Sequence, residues 1–144
     1  MTRILTIIAL LFATPAWAGE VDGKSFLCER QSKSSLSPSD AIYQKFYALK
    51  FEDGKAIKYG YHSTKPEGNE YFATDTSVGW ALGSGGSFWY SMSRKTLALR
   101  LEAVDDRTVM TIWQCKFMSL KNAQNVIDEY VNSYREKARE GNQF

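Results

Sequence analysis

The chain has 144 residues, with 18 basic and 16 acidic side chains and one histidine, and its formal net charge is +2. A charge this small, with both signs interspersed, gives no electrostatic reason to expect nucleic acid or a strongly acidic partner. The length suits a single domain with its own hydrophobic core.

The N-terminus has the three regions of a secretory signal peptide. Arg3 supplies a positive charge, an apolar run follows over residues 4–13, and a small-x-small cleavage site ends at Ala18. The apolar run is shorter than the roughly 20 residues of a membrane-spanning helix, although a retained N-terminal anchor is the alternative. We predict that residues 1–18 are cleaved between Ala18 and Gly19. The mature protein is then periplasmic or secreted, with no stable membrane anchor.

The first predicted elements are a strand and a hairpin. Residues 26–30 alternate as in a strand, and a serine-rich polar loop follows. In that loop Ser37 and Pro38 favour one or two helical turns, although the chain could also lead straight into the next strand. Residues 47–52 and 57–61 alternate on either side of Asp53-Gly54. Because a type I′ turn needs positive φ at both central positions, this pair predicts a tight hairpin.

The chain after Glu70 has the pattern of a β-meander. Short alternating runs cover residues 71–74, 78–82, 88–92, 97–101 and 109–117, with turn signals between them. This spacing predicts a mainly β (α+β) fold, a small antiparallel barrel or sandwich, and we assign residues 19–118 to that domain. An outer-membrane barrel is disfavoured, because membrane strands need about 9 to 11 residues.

A C-terminal helix is predicted over residues 119–141, with Ser119 as its cap and Gly141 at its end. Its apolar residues recur at three- and four-residue intervals: Leu120, Ala123, Ile127, Tyr130, Val131, Tyr134 and Ala138. We expect this stripe to pack against the sheet or over one barrel mouth. Pairing with a second copy is the alternative, but the spacing spans only about two heptads, so we expect a monomer rather than a dimer.

The two cysteines, Cys28 and Cys115, lie near the start and the end of the β-rich part. In an oxidising compartment an even count indicates a disulfide, which here would tie the first strand to the last. Two free thiols or a metal pair are the alternatives. However, two sulfurs and one histidine cannot complete a four-ligand zinc site without distant carboxylates, so we expect no metal and no cofactor.

Catalytic motifs are not evident in the sequence. The glycine loop at 83–87 lacks the Gly-Lys-Ser/Thr ending of a P-loop and joins two strands, which indicates a hairpin turn. His62 stands at a strand end without a visible partner, and acids such as Asp105 suit turn chemistry. We therefore predict a protein that is not an enzyme.

The aromatic residues Trp80, Trp89 and Tyr90 are the candidate contact surface. On adjacent strands, Trp80 and Tyr90 are expected to face one side and Trp89 the other. One side of a small barrel is filled core, so at least one large ring would point outward toward a partner or a flat ligand. For Trp80 and Trp113, burial in the core is the leading interpretation, whereas for Trp89 the core and the contact surface are about equally favoured.

Residues 90–99 (YSMSRKTLAL), followed by Trp113-Gln114-Cys115, resemble a segment of short secreted bacterial β-rich proteins. Those proteins have an RKTLxL strand, a cysteine in the last strand and an early cysteine near the mature N-terminus. The resemblance covers about a third of the chain and does not include the helix. That family carries no established activity, so the resemblance implies no site.

A second similarity is to periplasmic lysozyme-inhibitor barrels, which are also small, exported and tied by a disulfide. Their inhibitory loop has Ser-Gly followed shortly by Tyr. Here Ser84-Gly85 matches, but Tyr90 comes further along the chain. The similarity implies inhibition of lysozyme as an alternative function.

We therefore expect an exported, non-catalytic binding module for a protein or a small apolar ligand. The first alternative is a structural or assembly component of the cell envelope that docks through the helix stripe, and the second is a lysozyme-inhibitor-like protein. An enzyme that uses turn carboxylates comes last.

Overall fold

The computed structural model describes residues 21–31, 38–62, 66 and 68–141. The predicted signal peptide with its cut between Ala18 and Gly19, and the helix cap Ser37, lie outside the described residues. The described strands are β1 (Ser25–Arg30), β2 (Phe46–Glu52), β3 (Lys55–Tyr59), β4 (Gly68–Ala73), β5 (Ser77–Ala81), β6 (Phe88–Ser93), β7 (Ala98–Ala103) and β8 (Val109–Phe117). The described helices are α1 (Pro38–Tyr43), between β1 and β2, and α2 (Leu120–Gly141), after β8.

The eight strands form a closed antiparallel barrel, in which each strand pairs with the next and β1 pairs with β8. The predicted mainly β fold with a C-terminal helix is confirmed, and the architecture is a barrel rather than a sandwich. The ends of several strands differ from the sequence pattern by one or two residues. For example, Leu97 belongs to the turn before β7, where its φ is 57° and its N–H donates to the Ser93 carbonyl.

The hairpin between β2 and β3 has the predicted two-residue turn. Asp53 and Gly54 have φ angles of 52° and 71°, as a type I′ turn requires. The turn sets a register in which Glu52 is opposite Lys55 and Leu49 is opposite Lys58. This register decides which β3 side chains point into the barrel.

The disulfide joins the first strand to the last. Cys28 and Cys115 are opposite each other in the β1–β8 ladder, with an S–S distance of 2.04 Å and a Cα–Cα distance of 4.0 Å. Both side chains are buried. The predicted bridge is therefore present and crosses the seam that closes the barrel.

Helix α2 packs on the outer surface of β1 and β2 and does not cover a barrel mouth. Its buried residues Ala123 and Ile127 contact Leu27 and Ala48, which point outward from the barrel. At its start, the Asn122 N–H donates to the Ser119 side chain over 3.3 Å, so Ser119 is the predicted cap. Neither described helix combines the length and the apolar character that crossing a membrane requires.

One end of the barrel is closed by the segment that precedes β1. Val21 is buried in the interior cluster, and the Gly23 N–H donates to the Phe51 carbonyl over 2.7 Å. The Asp22 carboxylate accepts a hydrogen bond of 2.6 Å from the Tyr71 hydroxyl. The antiparallel register places Arg30, at the far end of β1, at the opposite end of the barrel.

Candidate functional site: a cavity at the open end of the barrel

At the end of the barrel opposite Val21, the interior opens into a cavity of about 280 Å³. Its volume is close to the lower limit of small-molecule sites, which span roughly 300 to 1,000 Å³. The apolar part of its lining is Leu49, Ala56, Trp80, Leu82 and Tyr90, and the polar part includes Tyr47, Lys58 and Asn69. The lining therefore combines a large apolar surface with a few polar groups.

Strand pairing explains why a lysine lies in this lining. Residues directly opposite each other in an antiparallel pair point to the same face of the sheet. Lys58 is opposite Leu49, which is buried inside the barrel, so Lys58 also points inward. It lies near the mouth, and its ammonium nitrogen is 4.5 Å from the centre of the Tyr47 ring.

The Tyr47 hydroxyl is buried without a hydrogen-bond partner among the described residues. The side chain is only 3% exposed, and its ring meets the Trp113 ring edge-on with 5.5 Å between centres. Trp113 Nε1 is also buried and lacks a partner in the described part of the chain. Burial, with a smaller effect of Tyr90, holds the pKa of Tyr47 well above its ordinary value. The hydroxyl thus keeps its proton at neutral pH.

A second cation, Arg30, lies near Lys58. Arg30 Nε is buried without a hydrogen-bond partner among the residues that the structure describes, and a terminal nitrogen is 3.4 Å from the Gln44 side-chain oxygen. Neither Arg30 nor Lys58 forms an ion pair with any residue that the structure describes. The mouth of the barrel thus carries two positive charges without a described carboxylate beside them.

The pKa of Lys58 is lowered, first because surrounding atoms displace water from the ammonium group and second because Arg30 is nearby. The residue as a whole is nevertheless exposed at the mouth. The side chain borders the opening, while its nitrogen lies against the Tyr47 ring.

The predicted contact surface is divided between the two sides of the barrel wall. Trp80 and Tyr90 stack inside the barrel with 5.2 Å between ring centres, and they are only 4% and 5% exposed. Trp89 lies outside, 5.1 Å from the ring of Phe72, which is 56% exposed. Trp80 and Tyr90 therefore can contact a ligand within the cavity, and Trp89 can contact a partner on the outer surface.

The outer aromatic pair borders a groove of about 330 Å³ between β4 and β7, which Val104 and Arg107 also line. Gly79 lies beneath the Trp89 ring. A Cβ at Gly79 would be 2.7 Å from Trp89 Nε1, so only glycine allows this close contact.

The other residues weighed in the sequence lie away from the cavity or at its rim. The β5–β6 connection is a hairpin turn, with positive φ at Gly83 and Gly86, and Gly83 borders the mouth. His62 is exposed, and its ring is 4.0 Å from that of Tyr61. Asp105 is exposed in the turn between β7 and β8.

Sequence reasoning did not single out Arg30, Tyr47 or Lys58. One signal was available for Lys58, because a two-residue turn at Asp53-Gly54 fixes which β2 and β3 residues are opposite each other. That register pairs Lys58 with an apolar interior residue. Lys58 therefore shares the sheet face of Leu49, while the larger apolar residues Ile57 and Tyr59 lie on the other face. This departure from the usual alternation was the available signal for the site.

Comparison with models of protein families, with the curated proteins and with the solved structures finds no match for this chain. The two sequence resemblances therefore stay predictions. The structure establishes a small disulfide-bonded β-barrel, and such a disulfide is typical of an oxidising compartment outside the cytoplasm.

Proposed function

We propose that this protein is an exported, non-catalytic binding protein that holds a small ligand in the open end of its barrel. The observation that carries the proposal is the cavity of about 280 Å³. An eight-stranded barrel has an interior just wide enough to be filled by side chains or to hold one small ligand. Here side chains fill one end, and the stacked rings of Trp80 and Tyr90 form part of a wall at the other.

Export to the periplasm or the medium is supported by the signal-peptide pattern of residues 1–18 and by the Cys28–Cys115 bridge. Binding is favoured over catalysis by the chemistry of the cavity. Its lining joins rings and aliphatic groups to Lys58, Asn69 and a neutral phenol, whereas covalent catalysis would need a nucleophile held by an oriented base.

Native mass spectrometry of the protein purified from the exported fraction, without reductant, tests this proposal. We expect the mass of the chain from Gly19, less two hydrogens, together with a small extra mass that leaves on denaturation. Leu82→Trp would fill the mouth from a residue that is already 39% exposed, and should abolish the extra mass. Val104→Trp, in the outer groove, is the matched control and should retain it.

Two outcomes would contradict the proposal. An extra mass that persists in Leu82→Trp but disappears in Val104→Trp would place the ligand in the outer groove. The cavity would not be a binding site if the protein carried no small molecule from the exported fraction and bound neither 4-phenylbutyrate nor 4-phenylbutan-1-ol.

A protein partner on the outer surface is the second candidate function. The exposed ring of Phe72 and the half-buried ring of Trp89, with the neighbouring exposed Val104, support this proposal. It predicts a complex in the exported fraction that Phe72→Ser dissociates and Leu82→Trp leaves intact, as measured by analytical ultracentrifugation. If Leu82→Trp dissociated the complex and Phe72→Ser left it intact, the partner would bind at the mouth instead.

The other two functions have less support. Docking of an envelope component through the helix stripe would need residues such as Ala123, Ile127 and Val131, which are buried. In the comparison with lysozyme inhibitors, Ser84 and Gly85 lie in the exposed β5–β6 turn, but Tyr90 is buried inside the barrel. Its ring would therefore be hidden from a protein partner.

A further inference from the structure

We infer that the ligand of the barrel cavity is a small organic carboxylate, whose apolar body fills the cavity and whose anionic group meets Lys58 and the Tyr47 hydroxyl, with the Arg30 charge nearby. This inference rests on the proposed function and specifies the chemistry of the ligand. It follows from three features of the open end: hydrogen-bond donors without acceptors, positive charge without negative charge, and an apolar lining.

The first feature is the set of unpaired donors. Tyr47 Oη, Trp113 Nε1 and Arg30 Nε are each buried and lack a hydrogen-bond partner within the described residues. Arginine and tryptophan nitrogens can only donate, and a neutral phenol can donate one proton. Buried polar groups are paired in the great majority of cases, so unpaired ones require an explanation. A ligand that supplies acceptor oxygens would pair the Tyr47 hydroxyl, which borders the cavity.

The second feature is the uncompensated charge. Arg30 and Lys58 are close enough that the arginine charge disfavours the protonated lysine. A carboxylate beside Lys58 would offset this repulsion by attracting both cations. It would also accept a charge-assisted hydrogen bond from the Lys58 ammonium, which is about twice as strong as a neutral hydrogen bond. One terminal nitrogen of Arg30 already lies near Gln44. The Lys58 ammonium and the Tyr47 hydroxyl are donors that border the cavity, and together they match the two oxygens of one carboxylate.

The third feature limits the body of the ligand. Leu49, Ala56 and Trp80 give the cavity an apolar wall, and Leu82 borders its opening. A volume of about 280 Å³ suits one ring with a short chain, or a short acyl chain, rather than a large lipid. The acid group would lie toward Lys58, and the apolar part would contact the ring of Trp80.

A matched pair of probes tests the inference by calorimetry with the exported chain. The probes 4-phenylbutyrate and 4-phenylbutan-1-ol have the same ring and chain, but only the first has a carboxylate. We expect the carboxylate to bind at least about tenfold more tightly, in line with one charge-assisted contact. Lys58→Met keeps the aliphatic stem, removes the charge and should bring the two affinities within about twofold of each other.

Lys55→Met is the matched control, because Lys55 is an exposed lysine on the same strand with the opposite side-chain direction. It should leave the tenfold preference unchanged. Lys58→Gln, with a polar end, repeats the test in a second variant if Lys58→Met does not fold. A preference that persists in the folded Lys58 variants would overturn the inference.

The probes also separate the inference from the function on which it rests. Equal binding of the acid and the alcohol to the wild-type chain, lost in Leu82→Trp, would overturn the carboxylate but keep the cavity as a binding site. Binding of neither probe, together with a protein that carries no small molecule from the exported fraction, would overturn both.

Discussion

Removal of the Tyr47 hydroxyl should make the protein more stable and a weaker binder of 4-phenylbutyrate. The hydroxyl is buried without a described partner, and a buried unpaired polar group costs about 1 to 3 kcal/mol. Tyr47→Phe removes this cost and leaves a void of only one atom. We expect the free energy of unfolding to rise by about 1 kcal/mol, which corresponds to an increase of roughly 3 to 5 °C in Tm for a domain of this size.

Urea unfolding followed by tryptophan fluorescence would measure this change. Tyr71→Phe is the control, since it makes the same chemical change elsewhere in the same barrel. The Tyr71 hydroxyl donates to the Asp22 carboxylate over 2.6 Å, so its removal should lower the free energy of unfolding by about 1.5 to 3 kcal/mol. Equal destabilisation by both substitutions would refute the reasoning, because it would show that the Tyr47 hydroxyl is satisfied in the native protein.

The Tyr47 hydroxyl also makes the free energy of unfolding depend on pH, and the direction of its pKa shift sets the sign. Burial raises the pKa of Tyr47 and of Tyr90 in the folded state, while the unfolded chain titrates near 10. The stability that the protonated Tyr47 contributes is therefore present below the unfolded pKa and is lost as the pH rises above it, by at most about 1.4 kcal/mol per pH unit. Tyr47→Phe should reduce the loss of stability between pH 10 and 11 by about 1 kcal/mol, since half of the unfolded phenol is still protonated at pH 10. An unchanged loss would show that Tyr47 ionises as readily in the folded protein as in the unfolded chain.

Three further predictions concern the barrel wall and the helix. Reduction of the Cys28–Cys115 bridge, which closes a separation of 87 residues, should lower the free energy of unfolding by about 3 to 5 kcal/mol in urea titrations with and without reductant. A loss below about 1 kcal/mol would mean that backbone hydrogen bonds alone hold the seam. Gly79→Ala should displace the Trp89 ring, lower the free energy of unfolding by about 1 to 3 kcal/mol and shift tryptophan emission to the red. Gly85 has open space around it, so Gly85→Ala is the control and should change the free energy of unfolding by less than about 0.5 kcal/mol. Ile127→Asp should unfold the monomer at 37 °C in thermal scans, because its side chain is buried against the barrel; a folded variant would show that the helix contact is dispensable.

The sequence was sufficient for features that depend on local chemistry. Asp53-Gly54 predicted its turn because both residues tolerate positive φ, and the structure has that turn. Alternation predicted the strands, and the positions of Cys28 and Cys115 predicted the bond between the first and last of them. The helix stripe was also visible in the sequence, although not the face of the barrel that it covers.

Features that depend on pairing between distant parts of the chain were not evident in the sequence. The pairing of β1 with β2, across the loop between them, decides that Arg30 lies at the same open end as Tyr47 and Lys58. Strand alternation did predict that Trp80 and Tyr90 face one side and Trp89 the other, but only closure of the barrel makes the first side the interior. The positive φ of Leu97 was missed because leucine carries no turn signal, and only the return of β7 against β6 requires it.

Nuclear magnetic resonance of the indole N–H groups tests most directly whether the barrel interior is the binding site. The ¹⁵N-labelled protein, with its disulfide intact, would be titrated with 4-phenylbutyrate, and the resonances of Trp80, Trp89 and Trp113 would be followed. Trp80 lines the cavity, Trp113 packs against Tyr47, and Trp89 lies on the outer surface. We predict that the Trp80 and Trp113 resonances shift with a common Kd while that of Trp89 does not move. A shift confined to Trp89 would place binding on the outer surface and would contradict the proposed site.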